Sequence, residues 1–141
     1  MKLSYVVLSI TFLMCLVACS PENADDAKEI EALLTENLRA TEAEDLNAVS
    51  DTMHSDSPAY SQTQQIIQMA FDNYDLKYKL LMFQYIGQDD EYALARFKFS
   101  TEKVSGPDFK NNILDTIHVF RRENDKWKIW SQATLEIDYT D

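Results

Sequence analysis

The texture of polar and apolar positions changes three times along the chain. From Leu3 to Ala18 every residue is uncharged and most are apolar. From about Asp26, the positions Ala27, Ile30, Leu33, Leu34 and Leu38 recur at spacings of three and four, the period of a helix with one buried face. A shorter second helix is predicted from Leu46, Val49 and Met53, with Asp45 placed to cap its first turn. In "HSDSP", Ser57 followed by Pro58 predicts an N-cap with proline at the first helical position. The third helix then runs to about Asn73, with Ala59, Ile66, Ile67, Ala70, Phe71 and Tyr74 on one face.

After Asp75 the period shortens to two. "DLKYKLLMFQYIG" is rich in aromatic and aliphatic residues and predicts a strand, closed by a turn over Gly87 to Asp90. "EYALARFKFSTEKV" alternates, with Ala93, Ala95, Phe97 and Phe99 on one face and Leu94, Arg96 and Lys98 on the other. Gly106-Pro107 in "SGPDF" breaks the chain. "NNILDTIHVFRR" and "KWKIWSQATLEIDY" follow as a tight hairpin closed at "ENDK". Strands of about 12 residues, against a usual 5 to 6, must twist and bend. Helices first and strands afterwards is an α+β arrangement, here three helices packed on the concave side of a curved four-stranded antiparallel sheet.

The leading segment carries the clearest functional signal. Lys2, an apolar run and a small-residue boundary together have the layout of a secretory signal peptide. The run of 16 residues contains Ser4, Ser9 and Thr11, and it falls short of the roughly 20 apolar residues that span a bilayer. Its end, Leu16-Val17-Ala18-Cys19, resembles the lipobox of bacterial lipoproteins. That resemblance implies cleavage before Cys19, acylation of its sulfur and its freed amine, and attachment to the membrane without a spanning helix. Two or more acyl chains anchor stably, at about 0.8 kcal/mol per buried methylene. Ser20, standing where Asp would signal inner-membrane retention, implies the periplasmic face of the outer membrane. The organisation expected is a signal peptide over 1–18, a lipidated tether over 19–25 and one domain over 26–141.

Charge narrows the partners. All 24 acidic residues follow Cys19 and 12 of the 13 basic ones do, a formal net charge of −12 for that part of the chain. Nucleic acid and anionic head groups reward basic patches, so neither is an expected partner. Cys15 would leave with the signal peptide and Cys19 would carry lipid, so the resemblance leaves no thiol for a disulfide, a metal or a nucleophile. His54 and His118 fall in different elements, and no ligand pair has helical spacing, so neither metal nor other cofactor is expected. Asp89, Asp90 and Glu91 form a solvated cluster at a turn.

The order of helices, "MHSDSP", "VSGPDF" and the hairpin ending in "DKWKI" resemble the NTF2-like superfamily, over roughly residues 26 to 139. The resemblance is nearest to its small bacterial branch of SnoaL and ketosteroid-isomerase-like domains. It implies a cone with a pocket between sheet and helices, used by different members for isomerisation, dehydration, ligand binding or dimerisation. The short hairpin usual between the second and third helices has no room between Met53 and Pro58, which implies a shallower or more open pocket. Enzymes of the superfamily place an Asp or His base in the pocket, helped by tyrosine or acid donors. The candidate parts here are Asp115, His118, Tyr85 and Tyr92, with His118, Tyr85 and Tyr92 expected at the pocket. Asp115 and His118 differ by three in a strand and so point to opposite faces. His118 shares its face with Leu114, Thr116 and Phe120, where a lone histidine is expected as a core or rim residue with its hydrogen bonds satisfied. Trp127 matches the family's "W-K-I" position and is expected to be structural. Trp130 has the other parity and is expected on an exposed sheet face suited to dimer contact. The function expected is binding of a small apolar ligand or a protein partner without catalysis. An isomerase or dehydratase using a pocket His or Asp, and a dimeric scaffold of an envelope assembly, are the alternatives.

Overall fold

A computed structural model describes residues 21–140. The expected signal peptide and the expected lipidation at Cys19 lie outside the described residues. The elements are α1 (Pro21–Glu42), α2 (Leu46–Asp51), α3 (Tyr60–Phe71), β1 (Asp75–Gln88), β2 (Tyr92–Ser105), β3 (Asn112–Glu123) and β4 (Lys126–Tyr139). The strands form one antiparallel meander in the order β1-β2-β3-β4, so helices packed on a curved antiparallel sheet are what the chain forms.

The sheet bends where its ladders slip. The β1–β2 register shifts at Leu80/Met82 and Tyr85/Gly87, and the β3–β4 register at Asp115/Thr116 and Val119/Phe120. Each extra residue in one strand kinks it and deepens the twist, which lets strands of 12 to 14 residues wrap around a core. Asn124 and Asp125 both have positive φ, 51° and 63°, as a two-residue turn between twisted strands requires. Both hairpin turns lie at one end of the sheet, the hairpin end. The other, open end carries the Gly106–Asn111 loop and the end of β4.

The concave face buries Ala93, Ala95 and Phe97 from β2, Phe120 from β3, and Trp127 and Ile129 from β4. Ile30 and Leu34 of α1 close over them, one turn apart on a single stripe. Asp26 extends that stripe to the hairpin end. Asp26 is 6% exposed, and its carboxylate accepts from Trp127 Nε1 at 2.8 Å, Arg122 Nη2 at 2.7 Å and Gln88 Nε2 at 2.8 Å. Burial opposes ionisation there, but the hydrogen bonds from Trp127 and Gln88 and the Arg122 charge outweigh it and hold the pKa below the usual carboxylate value. One side chain thus pins α1 to β1, β3 and β4.

Three local expectations are corrected. Residues 21–25, expected as part of a tether, are already helical in α1. Asp45 does cap α2, accepting from Ala48 N at 3.0 Å, but Ser57 does not cap α3. Its hydroxyl instead donates to Trp130 O at 2.7 Å and accepts from Ala59 N, a tertiary bond that ties the loop to β4 and delays the helix to Tyr60. α3 ends at Phe71 and buries no residue fully. Ile66, expected on its packed face, is 58% exposed. The loop before α3 is held to the sheet instead by Met53, which makes a parallel bridge with Ile129.

Candidate functional site

Because α3 stands off from the sheet, a cavity of about 310 Å³ lies beneath it. Leu38 from α1, Met53, Ile67 from α3, and Phe99 and Ile129 from the sheet make its apolar walls. Asn37, Thr63 and Gln132 supply the polar ones. Asn37 is already committed, donating to Thr52 Oγ1 at 2.7 Å, and that hydroxyl donates onward to Val49 O at 2.6 Å. A second hollow, of about 300 Å³, continues toward the open end between Leu76, Phe109, Leu114, Ile137 and Tyr139. Tyr78 and Phe99 line both hollows and form the sill between them. Burial first, and then the nearby Glu42 carboxylate, push the Tyr78 phenol up to about 12, so it stays neutral. A wider depression of about 440 Å³ between α1 and β1 is a surface groove edged by Glu42 and Arg39, whose guanidinium is tied to Glu36.

None of the three residues expected at the pocket lines either hollow. His118 is in the core, 3% exposed, edge-on to Phe97 at 4.5 Å and stacked near Phe120 at 6.1 Å. Among the described residues neither of its ring nitrogens has a hydrogen-bond partner, which corrects the expectation of a satisfied core histidine. Burial alone pushes its pKa down to about 3. Tyr85 is on the same concave side but belongs to the polar network at the hairpin end. Its hydroxyl donates to Gln88 Oε1, and its pKa is raised by burial and then by Asp26. Tyr92 is on the opposite, convex face, where Arg121 lies 5.7 Å from its ring. A tyrosine paired with Arg121 has the parity of Leu94 and Arg96, so it cannot meet His118 across the sheet.

Asp115 takes the face that its spacing from His118 requires. Arg96 donates to it twice, at 2.8 and 2.5 Å, and Lys98 Nζ lies 2.9 Å away. It is roofed by these two cations on the convex face rather than sunk in the interior, and the Arg96 hydrogen bonds lead in holding its pKa well below the carboxylate range. Trp130 also has the expected parity, but it is half-buried between His54, at 5.0 Å, and Arg121, at 4.8 Å. Among the described residues, no three His, Cys, Asp or Glu side chains gather as a metal site.

The residues that line the hollows were missed by reading the sequence for reactive types. Met53, Ile67, Tyr78, Phe99 and Ile129 come from five elements or loops, and their apolar character alone marks them as core. The one local signal was Tyr78 and Phe99 having concave parity while lying outside the tightly packed segment around Ala93 to Phe97.

Residues 32–140 match the family model described as the C-terminal domain of the anti-sigma-I factor RsgI9. No curated protein matches the chain. Among solved structures, a protein of Novosphingobium aromaticivorans with a provisional assignment as an aromatic ring hydroxylase superposes with a TM-score of 0.69. It is 18% identical, over 83% of this chain and 94% of its own. A Nostoc punctiforme protein of unknown function with a cystatin-like fold gives 0.66 at 17% identity, over 82% of this chain and 92% of that one. A Streptomyces avermitilis protein of the NTF2-like family, provisionally assigned as a dehydratase, gives 0.65 at 18% identity, over 77% and 94%. At such identities the likeness is one of fold, and the fold is NTF2-like.

Proposed function

The chain belongs to the family of the RsgI9 anti-sigma-I factor C-terminal domain, and from that premise we propose that it is an envelope lipoprotein whose domain binds a small apolar ligand without catalysing its conversion. The cleft between α3 and the sheet carries this reading. It is open, of a size usual for small-molecule sites, and walled by Leu38, Met53, Ile67, Phe99 and Ile129. A catalytic cleft of this fold needs a titratable group facing the ligand. Here His118 is sealed in the core, Asp115 is clamped by Arg96 and Lys98, and Tyr85 is tied to Gln88, while Tyr78, the titratable group that does line the cleft, is held neutral with its phenol pushed up to about 12. The family's name comes from a domain of a regulator, which also favours binding over turnover.

The test titrates methyl dodecanoate into the full chain in lipid nanodiscs, with empty nanodiscs subtracted. Saturable binding at one site is expected, and Thr63→Trp, which fills the cleft from the half-buried face of α3, is expected to abolish it while leaving the thermal midpoint unchanged. Binding unaffected by Thr63→Trp, or turnover of enolisable ketones by the same preparation, would overturn the reading.

The anchor rests on Leu16-Val17-Ala18-Cys19, and the absence of Asp after the cysteine favours the outer membrane. With α1 starting at Pro21, a lipid on Cys19 would hold the domain through Ser20 alone. Cys19→Ala is expected to release the protein from the membrane fraction or leave it unprocessed. Intact mass of the detergent-extracted wild type should show a diacylglycerol-modified, N-acylated Cys19. A mature chain starting at another residue and bearing no lipid would sink the assignment.

A further inference from the structure

The two outer edges of the sheet are finished differently. The edge of β1 is covered and guarded: Tyr78 N donates to the Glu42 carboxylate at 3.0 Å, and Lys77 and Lys79 stand exposed on either side. Lysines on an edge are a common defence against stray strand pairing. The edge of β4 is occupied only at its start. There the segment around Met53 runs parallel to it, with Ile129 N donating to Thr52 O and His54 N to Ile129 O, both at 2.9 Å. From Ala133 to Tyr139 every residue is exposed, and none is lysine, arginine or proline. Among the described residues, no backbone hydrogen bond from outside the sheet reaches this stretch.

The direction of its free backbone groups follows from the last rung. Thr140 N donates to Asn111 O at 3.0 Å, so Thr140 faces β3. Backbone groups alternate along an antiparallel ladder. Asp138 therefore also faces β3, while the N–H and C=O of Ile137 and Tyr139 point outward. The side chains of these two line the open-end hollow and are 47% and 62% exposed. Glu136, paired with Asp115, and Asp138, paired with Ile113, carry their carboxylates on the convex side. Arg96 and Lys98 lie further inward, on β2, and both engage Asp115. Lys110 is at the far end of the edge, 5.4 Å from the Tyr139 ring.

We propose that the edge from Ala133 to Tyr139 binds an extended segment of a partner protein as a fifth, antiparallel strand. Its apolar side chains would lie against Ile137 and Tyr139, and its basic ones opposite Glu136 and Asp138. In such strand addition the backbone bonds supply affinity and the alternate side chains supply selection. Antiparallel pairing continues the pattern of the whole sheet. A second copy of the chain fits poorly. Pairing two such edges about Ile137 sets Glu136 against Asp138, and pairing them about Asp138 sets that acid against itself. Like charges directly opposite are destabilising, and opposite charges stabilise. The surface is distinct from the cleft under α3, whose lining on β4 ends at Gln132.

The probe is a capped octapeptide of alternating lysine and valine, titrated into the full chain in phosphatidylcholine nanodiscs, with empty nanodiscs subtracted. Two analogues of unchanged charge carry N-methyl groups, one on its valines and the other on its lysines. With valines beside Ile137 and Tyr139 in antiparallel register, the valine N–H groups face β4 and the lysine ones face solvent. The parent peptide is expected to bind saturably. The valine-methylated analogue is expected to bind at least about tenfold more weakly, the factor one net hydrogen bond supplies. The lysine-methylated analogue is expected to match the parent. No saturable binding of the parent, no loss on valine methylation, or an equal loss in both analogues would overturn the proposal. Ile137→Pro removes one outward N–H and leaves the β3 ladder whole, and it is expected to weaken the parent peptide by a similar factor. Should that variant fail to fold, the peptide comparison on the wild type still decides. The cleft reading stands or falls separately, on methyl dodecanoate.

Discussion

Trp127→Ala is expected to lower the unfolding free energy by about 3 to 5 kcal/mol, through lost transfer energy and the cavity left behind. Trp127 is 2% exposed and sits where α1, β3 and β4 converge. Its removal does more than empty a space. Asp26 loses the Nε1 donor at 2.8 Å, and Arg122, whose guanidinium lies 4.3 Å from the ring centroid, loses its stacking surface. Arg122 and Gln88 still hold Asp26, so the carboxylate keeps two of its three partners. Phe97→Ala is expected to cost a similar amount, because Phe97 packs on both Phe99, at 5.3 Å, and His118. Against a total of about 5 to 15 kcal/mol, either loss takes a large share of the stability. The check is the urea midpoint at constant slope. Midpoints that barely move in both variants would mean that these faces carry little of the core.

The strands were easier to read than the site, and the reason is geometric. Period two assigns a face locally: Ala93, Ala95 and Phe97 declare the concave side without reference to anything distant, and Asp115 and His118 are separated by parity alone. Asp45 works the same way, since a cap needs only the helix that follows it. Ser57 has the sequence of a cap but spends its hydroxyl on Trp130 O, 73 residues away, a competition invisible to any local rule. The extent of α1 was hidden likewise, because Asp26 is held by residues of three strands and looks in sequence like one more acid in a polar stretch. Tyr92 was expected at the pocket for its residue type, although its alternation with Ala93 places it on the convex face. The cleft exists because α3 leaves Ile66 and Met69 exposed instead of packing down, a shortfall of contact that an amphipathic pattern does not reveal.

His118 gives a pH dependence of known sign. In the fold the ring is neutral well below its ordinary range, because burial pushes its pKa from 6.5 down to about 3. The unfolded chain takes up a proton as pH drops through 6.5, and the folded chain does not. The unfolded state therefore binds one more proton between those values, and stability falls as pH falls. One proton corresponds to about 1.4 kcal/mol per pH unit. Between pH 6.5 and about 4.5 this amounts to about 2 to 3 kcal/mol. The neighbours that face the ring are Phe97 and Ala95 of β2, Thr116 and Phe120 of β3, and Gln132 of β4, none of which titrates in this range. Asp26, Asp115 and Glu123 have lowered pKa values, so their stabilisation is lost only as pH drops below the ordinary carboxylate range, beneath this window. His118→Leu removes both unpartnered nitrogens and puts a side chain of similar bulk in an apolar setting. It is expected to be at least as stable as the wild type at pH 7, and to show no loss between pH 6.5 and 4.5. Urea midpoints measured across that interval for the two proteins provide the test. A flat wild-type profile, or a slope that survives in His118→Leu, would mean that the ring finds a partner or reaches water, and the sealed core drawn around it would be wrong.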